Sequence, residues 1–178
     1  MILNLSCQRY GIGLKLPATS AGVQETLSQL RDGLKSTVPI HICGVHGDIC
    51  SLHKYIQHAD LESTDDLSRL NQLAAMVDRM STQEQYVLSG ALDAESINGL
   101  DDVLRVASSL GQYEFIQGVT SDKELGGWLV ENEMAGVDFP EQVRPYLDYA
   151  GIGAAYYADH GGAYTAHGYV KRREMGQT

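Results

Sequence analysis

The sequence predicts an α+β protein, organised as an elongated chain of three small modules. Strand-like segments occur only towards the two ends of the 178 residues, and segments with helical apolar spacing fill the middle. No internal repeat connects these regions. The expected modules are 1–60 (α+β), 61–110 (acidic and all-helical) and 111–178 (α+β).

The first module is expected to hold three strands and two helices. Ser20 is the expected N-cap of a helix with a buried apolar stripe, which ends near Gly33. In the third strand, alternation places Ile40 and Ile42 on one face and His41 on the other, together with Cys43. The expected strands are 2–7, 11–16 and 38–45, and a short second helix is expected over 51–58.

The middle module is expected to form three helices. The first has an apolar stripe that begins at Leu67 and ends at Val77. The second begins at the capping box Ser81-x-x-Glu84, and the third follows Gly99. Aspartates in these first turns complement the helix dipole, so they have structural reasons to be there.

The last module is expected to combine two strands with two helices. Ser121-x-x-Glu124 predicts the start of the first helix, and Gly136 its end. The second helix is expected over 149–158, and the strands over 113–116 and 163–172.

The charge is distributed unevenly along the chain. The net charge is −10, but residues 59–159 contain 19 acids and five bases, whereas both ends are mildly basic. Phosphate binding needs Lys and Arg, so direct nucleic-acid binding through this region is not expected. Charge alone leaves two interpretations open, a solvated acidic surface and a surface that attracts a basic cleft.

The expected location is the cytoplasm. No apolar run approaches the roughly 20 residues that cross a membrane, and the first residues lack the pattern of a secretory signal. Three cysteines, an odd number, argue against a disulfide framework.

A group of Cys and His residues in the first module supports an alternative, a metal-binding regulatory or accessory protein. Both residue types are zinc ligands, but their spacing matches no zinc pattern, so no metal site is assigned. A Cys or His catalytic centre is a third hypothesis, without a local sequence signature. The group comprises His41, Cys43, His46, Cys50 and His53.

No motif for catalysis stands out. The chain has no Walker A motif, no nucleophile elbow and no His-Glu-x-x-His. The sequence therefore predicts a protein that is not an enzyme.

The last third of the chain resembles the ArdA antirestriction family. Residues 129–143 combine an apolar helix end, an acidic stretch, a small-residue break and Pro followed by Glu. Tyr-Leu-Asp-Tyr at 146–149 and Gly-Tyr-Val at 168–170 follow in the family's order. The residues that correspond to the antirestriction motif are Glu131, Glu133, Asp138, Pro140 and Glu141.

The resemblance implies an elongated protein of three modules that forms a homodimer and copies the shape and charge of bent B-form DNA. Its partner would be a Type I restriction–modification enzyme, whose DNA-binding groove it occupies without catalysis or cofactor. The last module's aromatic residues are candidates for the dimer surface: Trp128, Tyr146, Tyr149, Tyr156 and Tyr157. The carboxylates expected to bind the partner are Asp65, Asp66, Asp101, Asp102, Glu124, Glu131, Glu133, Asp138, Glu141 and Asp148.

Overall fold

The computed structural model describes residues 1–32, 38–47, 49, 52–134, 136 and 139–173. These residues form seven α-helices and two three-stranded sheets, in agreement with the predicted α+β class. The strands are β1 (Ile2–Cys7), β2 (Tyr10–Lys15), β3 (His41–His46), β4 (Tyr113–Gln117), β5 (Ala163–Tyr164) and β6 (Gly168–Arg172). The helices are α1 (Ser20–Leu30), α2 (His53–Ile56), α3 (Thr64–Val77), α4 (Thr82–Ala94), α5 (Leu100–Ser108), α6 (Asp122–Glu131) and α7 (Tyr149–His160).

The chain divides into two compact units, and the prediction of three modules is not confirmed. Unit 1 comprises Met1–Ser89 and Ile97–Ser109. Unit 2 comprises Gly90–Ser96 and Leu110–Thr178. Nearly all of the first two predicted modules therefore falls in unit 1, because helices α3 and α5 pack in the same unit as the first sheet.

Unit 1 contains the antiparallel sheet β2-β1-β3. Alternate residues of the central strand, Leu3, Leu5 and Cys7, are fully buried, as the period of two along a strand requires. The register of β1 with β3 shifts between Asn4 and Leu5, because Asn4 pairs with Gly44 and Leu5 with Ile42, which leaves one extra residue in β3.

The helices of unit 1 bury one face each. Ser63 caps α3 by accepting from the Asp66 N–H, and the predicted stripe from Leu67 to Val77 is buried. The capping box of α4 is confirmed, because the Glu84 carboxylate accepts from both the N–H and the hydroxyl of Ser81.

Unit 2 contains the antiparallel sheet β4-β6-β5 and the helix pair α6 and α7. Its core joins the sheet to α6, and Ile152 and Tyr156 of α7 pack against that core. The buried core residues are Ile116, Val119, Leu125, Leu129 and Tyr169.

Several expected boundaries were wrong. Helix α1 is capped by the Thr19 hydroxyl rather than by Ser20, and it ends at Leu30; Gly33 lies outside the described residues. The third strand begins at His41, and the short second helix is limited to His53–Ile56.

The expected closing strand is in fact a hairpin. The Thr165 hydroxyl accepts from the N–H groups of His167 and Gly168, which closes a tight turn between β5 and β6. No helix among the described residues has the length and apolar character to cross a bilayer.

Candidate functional site

Three of the predicted partner-binding carboxylates in unit 1 converge on one arginine. The Arg69 guanidinium lies 2.9 Å from Asp65 Oδ2 and 3.3 Å from Asp66 Oδ1. Its Nε lies 3.2 Å from Asp101 Oδ1, which links the first turns of α3 and α5. The side chains of Asp65 and Asp101 nevertheless remain 70% and 75% exposed. Their charges are thus held in place and accessible at the same time.

Two of the unit 1 aspartates also hold the main chain. Asp66 Oδ2 accepts from the Asp60 N–H at 2.7 Å. Asp102 accepts from the Asn98 N–H at 3.0 Å and from the Arg105 guanidinium at 3.4 Å. These carboxylates thus stabilise the start of their helices, and they are less exposed than Asp65 and Asp101.

A cavity of about 570 Å³ lies beside this cluster in unit 1. Its volume is in the range of small-ligand pockets, and its lining combines polar with apolar residues and carries both signs of charge. Residues that contribute charged or polar groups to the wall include Lys54, His58, Asp66, Arg69, Asn98, Asp101 and Asp102.

Two predicted carboxylates of unit 2 cap helices without a cation. Glu124 Oε2 accepts from the Thr120 hydroxyl and N–H, each at 2.7 Å. These hydrogen bonds, the one from the Thr120 hydroxyl first, hold the Glu124 pKa below its ordinary value. Asp148 Oδ1 accepts from the Gly151 N–H at 3.0 Å and caps α7. Both carboxylates therefore have structural roles, and neither is paired with a cation among the described residues.

The segment that resembles the antirestriction motif presents its glutamates to solvent. Glu131, Glu133 and Glu141 are exposed, and within the described part of the chain none has a hydrogen bond or ion pair through its side chain. Asp138 lies outside the described residues. Pro140 is exposed beside these carboxylates.

The end of α6 is formed by a glutamate in the left-handed region. Helix α6 ends at Glu131, not at Gly136, and Glu133 has a φ of 58°. The Glu133 N–H donates to Val130 O and the Met134 N–H donates to Leu129 O, which is the hydrogen-bond pattern of a Schellman motif. Glycine usually occupies this position, because a side chain there is strained.

The predicted dimer residues divide into packed and exposed ones. Trp128 and Tyr156 pack against the unit 2 core, and the Tyr149 hydroxyl donates to Arg144 O. Tyr146 is 87% exposed, and Tyr157 is partly exposed. Tyr146 and Tyr157 are thus the most exposed of the five.

The Cys and His group does not converge on one point. His46 Nε2 lies 2.7 Å from Asn4 Nδ2, and the Cys43 thiol donates to Asn4 O at 3.2 Å. His53 Nε2 lies 3.3 Å from a main-chain oxygen in β3, and His41 is exposed. Cys50 lies outside the described residues. Among the residues that are described, no three His, Cys, Asp or Glu side chains are placed to hold a metal ion.

Sequence reasoning missed the arginines at the centre of the acidic cluster. The spacings of Asp65 and Asp66 to Arg69, four and three residues on one helix, were a visible signal for ion pairs. The ion pair of Asp101 with the same arginine depends on how α3 and α5 pack, and no local sequence pattern predicts it.

Unit 2 also contains a buried cation that the sequence did not reveal. Lys171 on β6 is 6% exposed. Its ammonium donates to the Tyr156 hydroxyl at 2.6 Å and lies 3.7 Å from Glu114 Oε2. This lysine therefore joins the sheet to α7 from the inside and is not available to an external ligand.

Comparison of the chain with protein-family models finds no match, and comparison with curated proteins finds none either.

Proposed function

We propose that this protein is an antirestriction protein of the ArdA type. In this proposal it is an acidic DNA mimic that binds, as a homodimer in the cytoplasm, in the DNA-binding groove of a Type I restriction–modification enzyme. It acts by stoichiometric occupation and uses neither a catalytic step nor a cofactor. The order of motifs in residues 129–170 is what suggests this family.

The observation that supports the proposal most is the state of the carboxylates in the motif segment. Glu131, Glu133 and Glu141 are exposed and, among the described residues, unpaired. An acidic surface that serves solubility alone is usually mixed with cations, whereas these charges are left for an external partner. A groove that binds DNA supplies the matching Lys and Arg side chains.

The helix caps hold three carboxylates in place without internal cations. Main-chain N–H groups and hydroxyls, rather than Lys or Arg, satisfy Glu84, Glu124 and Asp148. Such fixed carboxylates resemble the phosphates of a duplex, which carries one charge per about 1.7 Å of its axis. Partner binding should therefore weaken as salt rises, because these exposed charges are screened.

The test is competition with DNA for a purified Type I methyltransferase. The wild-type protein is expected to displace unmodified DNA at about one equivalent of binding sites and to do so less well at higher salt. A stoichiometric excess that leaves DNA bound at low salt would disprove the proposal.

Matched double variants show whether competition with DNA depends on where the carboxylates lie or only on the total charge. Glu131→Gln with Glu141→Gln removes two carboxylates of the motif segment, and weaker competition is expected. Glu25→Gln with Asp32→Asn removes the same charge from exposed positions of the mildly basic N-terminal region. This control pair is expected to compete almost like wild type. If both pairs compete equally poorly, competition depends on net charge and not on the motif segment.

The homodimer is tested separately by light scattering at micromolar concentration. The expected mass is twice 19.4 kDa. Tyr146→Ser, at the most exposed aromatic residue, is expected to lower the dimer fraction if this side chain contributes apolar burial at the interface. A monomer in the wild type would remove the dimer from the proposal.

A further inference from the structure

We propose that the unit 1 cavity receives a single basic side chain of the partner, and that Arg69 is the positioning residue that orders the carboxylates for it. The inference rests on the proposed function for the identity of the partner. The cavity itself, with carboxylates of α3 and α5 in its wall, is a feature of unit 1 alone.

The charges around the cavity favour a cationic occupant. The charged residues of the wall are the carboxylates Asp66, Asp101 and Asp102 and the cations Lys54 and Arg69, which is one carboxylate more than the cations can balance. A guanidinium or ammonium group would balance it.

The form of the cavity also suits a long basic side chain. Its wall contains the Tyr55 ring, over which an ammonium already lies, with Lys54 Nζ 4.7 Å from the ring centroid. Aromatic and apolar surface accommodates the methylene stem of Arg or Lys, and carboxylates bind the head group. A volume of about 570 Å³ admits one such side chain with part of its main chain.

Arg69 is the residue that turns separate aspartates into one ordered wall. Its planar guanidinium has donors in several directions, and here they contact Asp65 and Asp66 of α3 and Asp101 of α5. A flexible exposed aspartate loses side-chain entropy when it binds a cation, and an aspartate that is already held in place loses less. Arg69 therefore reduces the net negative charge beside the cavity, but it also holds the three aspartates that it contacts in fixed positions.

This role gives an expectation opposite to that of simple electrostatics. If only net charge mattered, Arg69→Gln would strengthen the binding of a cation, because it removes a positive charge. If Arg69 orders the wall, the same change weakens binding. Arg79→Gln is the matched control, because Arg79 is exposed and, within the described residues, its side chain contacts no carboxylate.

The experiment is a titration of the ¹⁵N-labelled full chain with a tri-arginine peptide, followed by NMR. Saturable shifts are expected at the amides of Asn98 and Gly99, which line the cavity. Arg69→Gln is expected to raise the dissociation constant about threefold to tenfold, and Arg79→Gln is expected to leave it unchanged or lower it slightly. Arg69→Lys keeps the charge without the planar fork, so an intermediate constant is expected.

Absence of saturable shifts at the cavity would overturn the inference. So would an Arg69→Gln protein that binds the peptide as tightly as Arg79→Gln. If Arg69→Gln does not fold, judged by circular dichroism, Asp101→Asn decides, because it changes a largely exposed side chain and is expected to weaken peptide binding likewise.

Competition with DNA for the Type I methyltransferase is measured on the same proteins. A wild type that binds the peptide at the cavity but leaves DNA on the enzyme disproves the proposed function and keeps the cationic site. A wild type that displaces DNA without shifts at the cavity disproves this inference alone.

Discussion

Gly126 on α6 and Gly153 on α7 bring the backbones of the two helices into direct contact. A Cβ on Gly126 would lie 1.9 Å from Tyr149 O, and a Cβ on Gly153 would lie 1.8 Å from Asp122 O. Main-chain atoms cannot yield in the way that a flexible side chain can. The α6–α7 pair, which carries the motif segment between its helices, therefore depends on the absence of side chains at both positions.

Gly126→Ala is accordingly expected to destabilise unit 2. Overpacking against a backbone costs at least about 1–3 kcal/mol, and here the clash is severe. Urea unfolding followed by the fluorescence of Trp128, the single tryptophan, measures the change next to the site.

Gly127 provides the control on the same helix. A Cβ there meets nothing within 4 Å, so Gly127→Ala is expected to stabilise α6 by about 0.5–1 kcal/mol. The same sign of change in both variants would contradict the role assigned to the helix crossing.

In unit 1, the Asn71 side chain is expected to hold the chain before α1. Its Oδ1 accepts from the Ala18 N–H at 3.1 Å, and its Nδ2 donates to Ala18 O at 3.2 Å. Asn71→Ala removes both partners of a part-buried residue, so a loss of about 1–2 kcal/mol is expected. Hydrogen exchange provides a local measurement, because the Ala18 amide should lose protection. Gln72→Ala, an exposed neighbour on α3, should change neither quantity, and an equal effect there would refute the two-point contact.

The sequence predicted several local features whose whole signal lies within one helix or strand. Spacing along one helix predicts the apolar stripe of α3 from Leu67 to Val77, and this stripe is buried. Spacing also predicts the capping box formed by Ser81 and Glu84, and its hydrogen bonds are present. The opposite exposure of His41 and Ile42 on β3 follows from strand alternation in the same way.

Features that depend on packing were not predictable. The contact of Arg69 with Asp101 joins residues 32 positions apart through the α3–α5 packing. The hairpin between β5 and β6 depends on the Thr165 hydroxyl, and residues 163–172 contain no Asn-Gly or Asp-Gly pair that would signal a tight turn. Of the ten proposed carboxylates, Glu124 could be assigned a capping role from its capping box, but the sequence does not show which of the others are left unpaired.

The helix caps predict an acid-sensitive contribution to stability. Hydrogen bonds from Ser81, that of its main-chain N–H first, hold the Glu84 pKa below its ordinary value. A carboxyl whose pKa is lowered in the folded state stabilises the fold above the pKa of the unfolded chain. It loses that contribution as the pH falls through the lower, folded value.

NMR titration of the Glu84 carboxyl carbon tests this. The wild-type pKa should lie below the ordinary glutamate value, and Ser81→Ala should raise it only part-way, because the main-chain donor remains. Glu84→Gln should remove this part of the pH dependence of unfolding. A wild-type Glu84 that titrates at its ordinary value would exclude the cap as the source.

Glu133 allows stability and the proposed function to be separated in one residue. Its φ of 58° places a side chain where glycine is favoured, and its carboxylate has no partner among the described residues to offset the strain. Glu133→Gly is therefore expected to stabilise unit 2 by up to about 1 kcal/mol in urea unfolding. If Glu133 binds a partner's cation, the same variant should compete less well with DNA for the Type I enzyme. Glu133→Gln, which keeps the strain and removes the charge, should compete less well without becoming more stable.

Glu131→Gly is the control for the backbone change. Glu131 lies in the last helical position, so a glycine there should lower stability instead. A Glu133→Gly protein that is more stable and still competes fully would leave the strained glutamate without a binding role and move the proposed contact to Glu131 and Glu141.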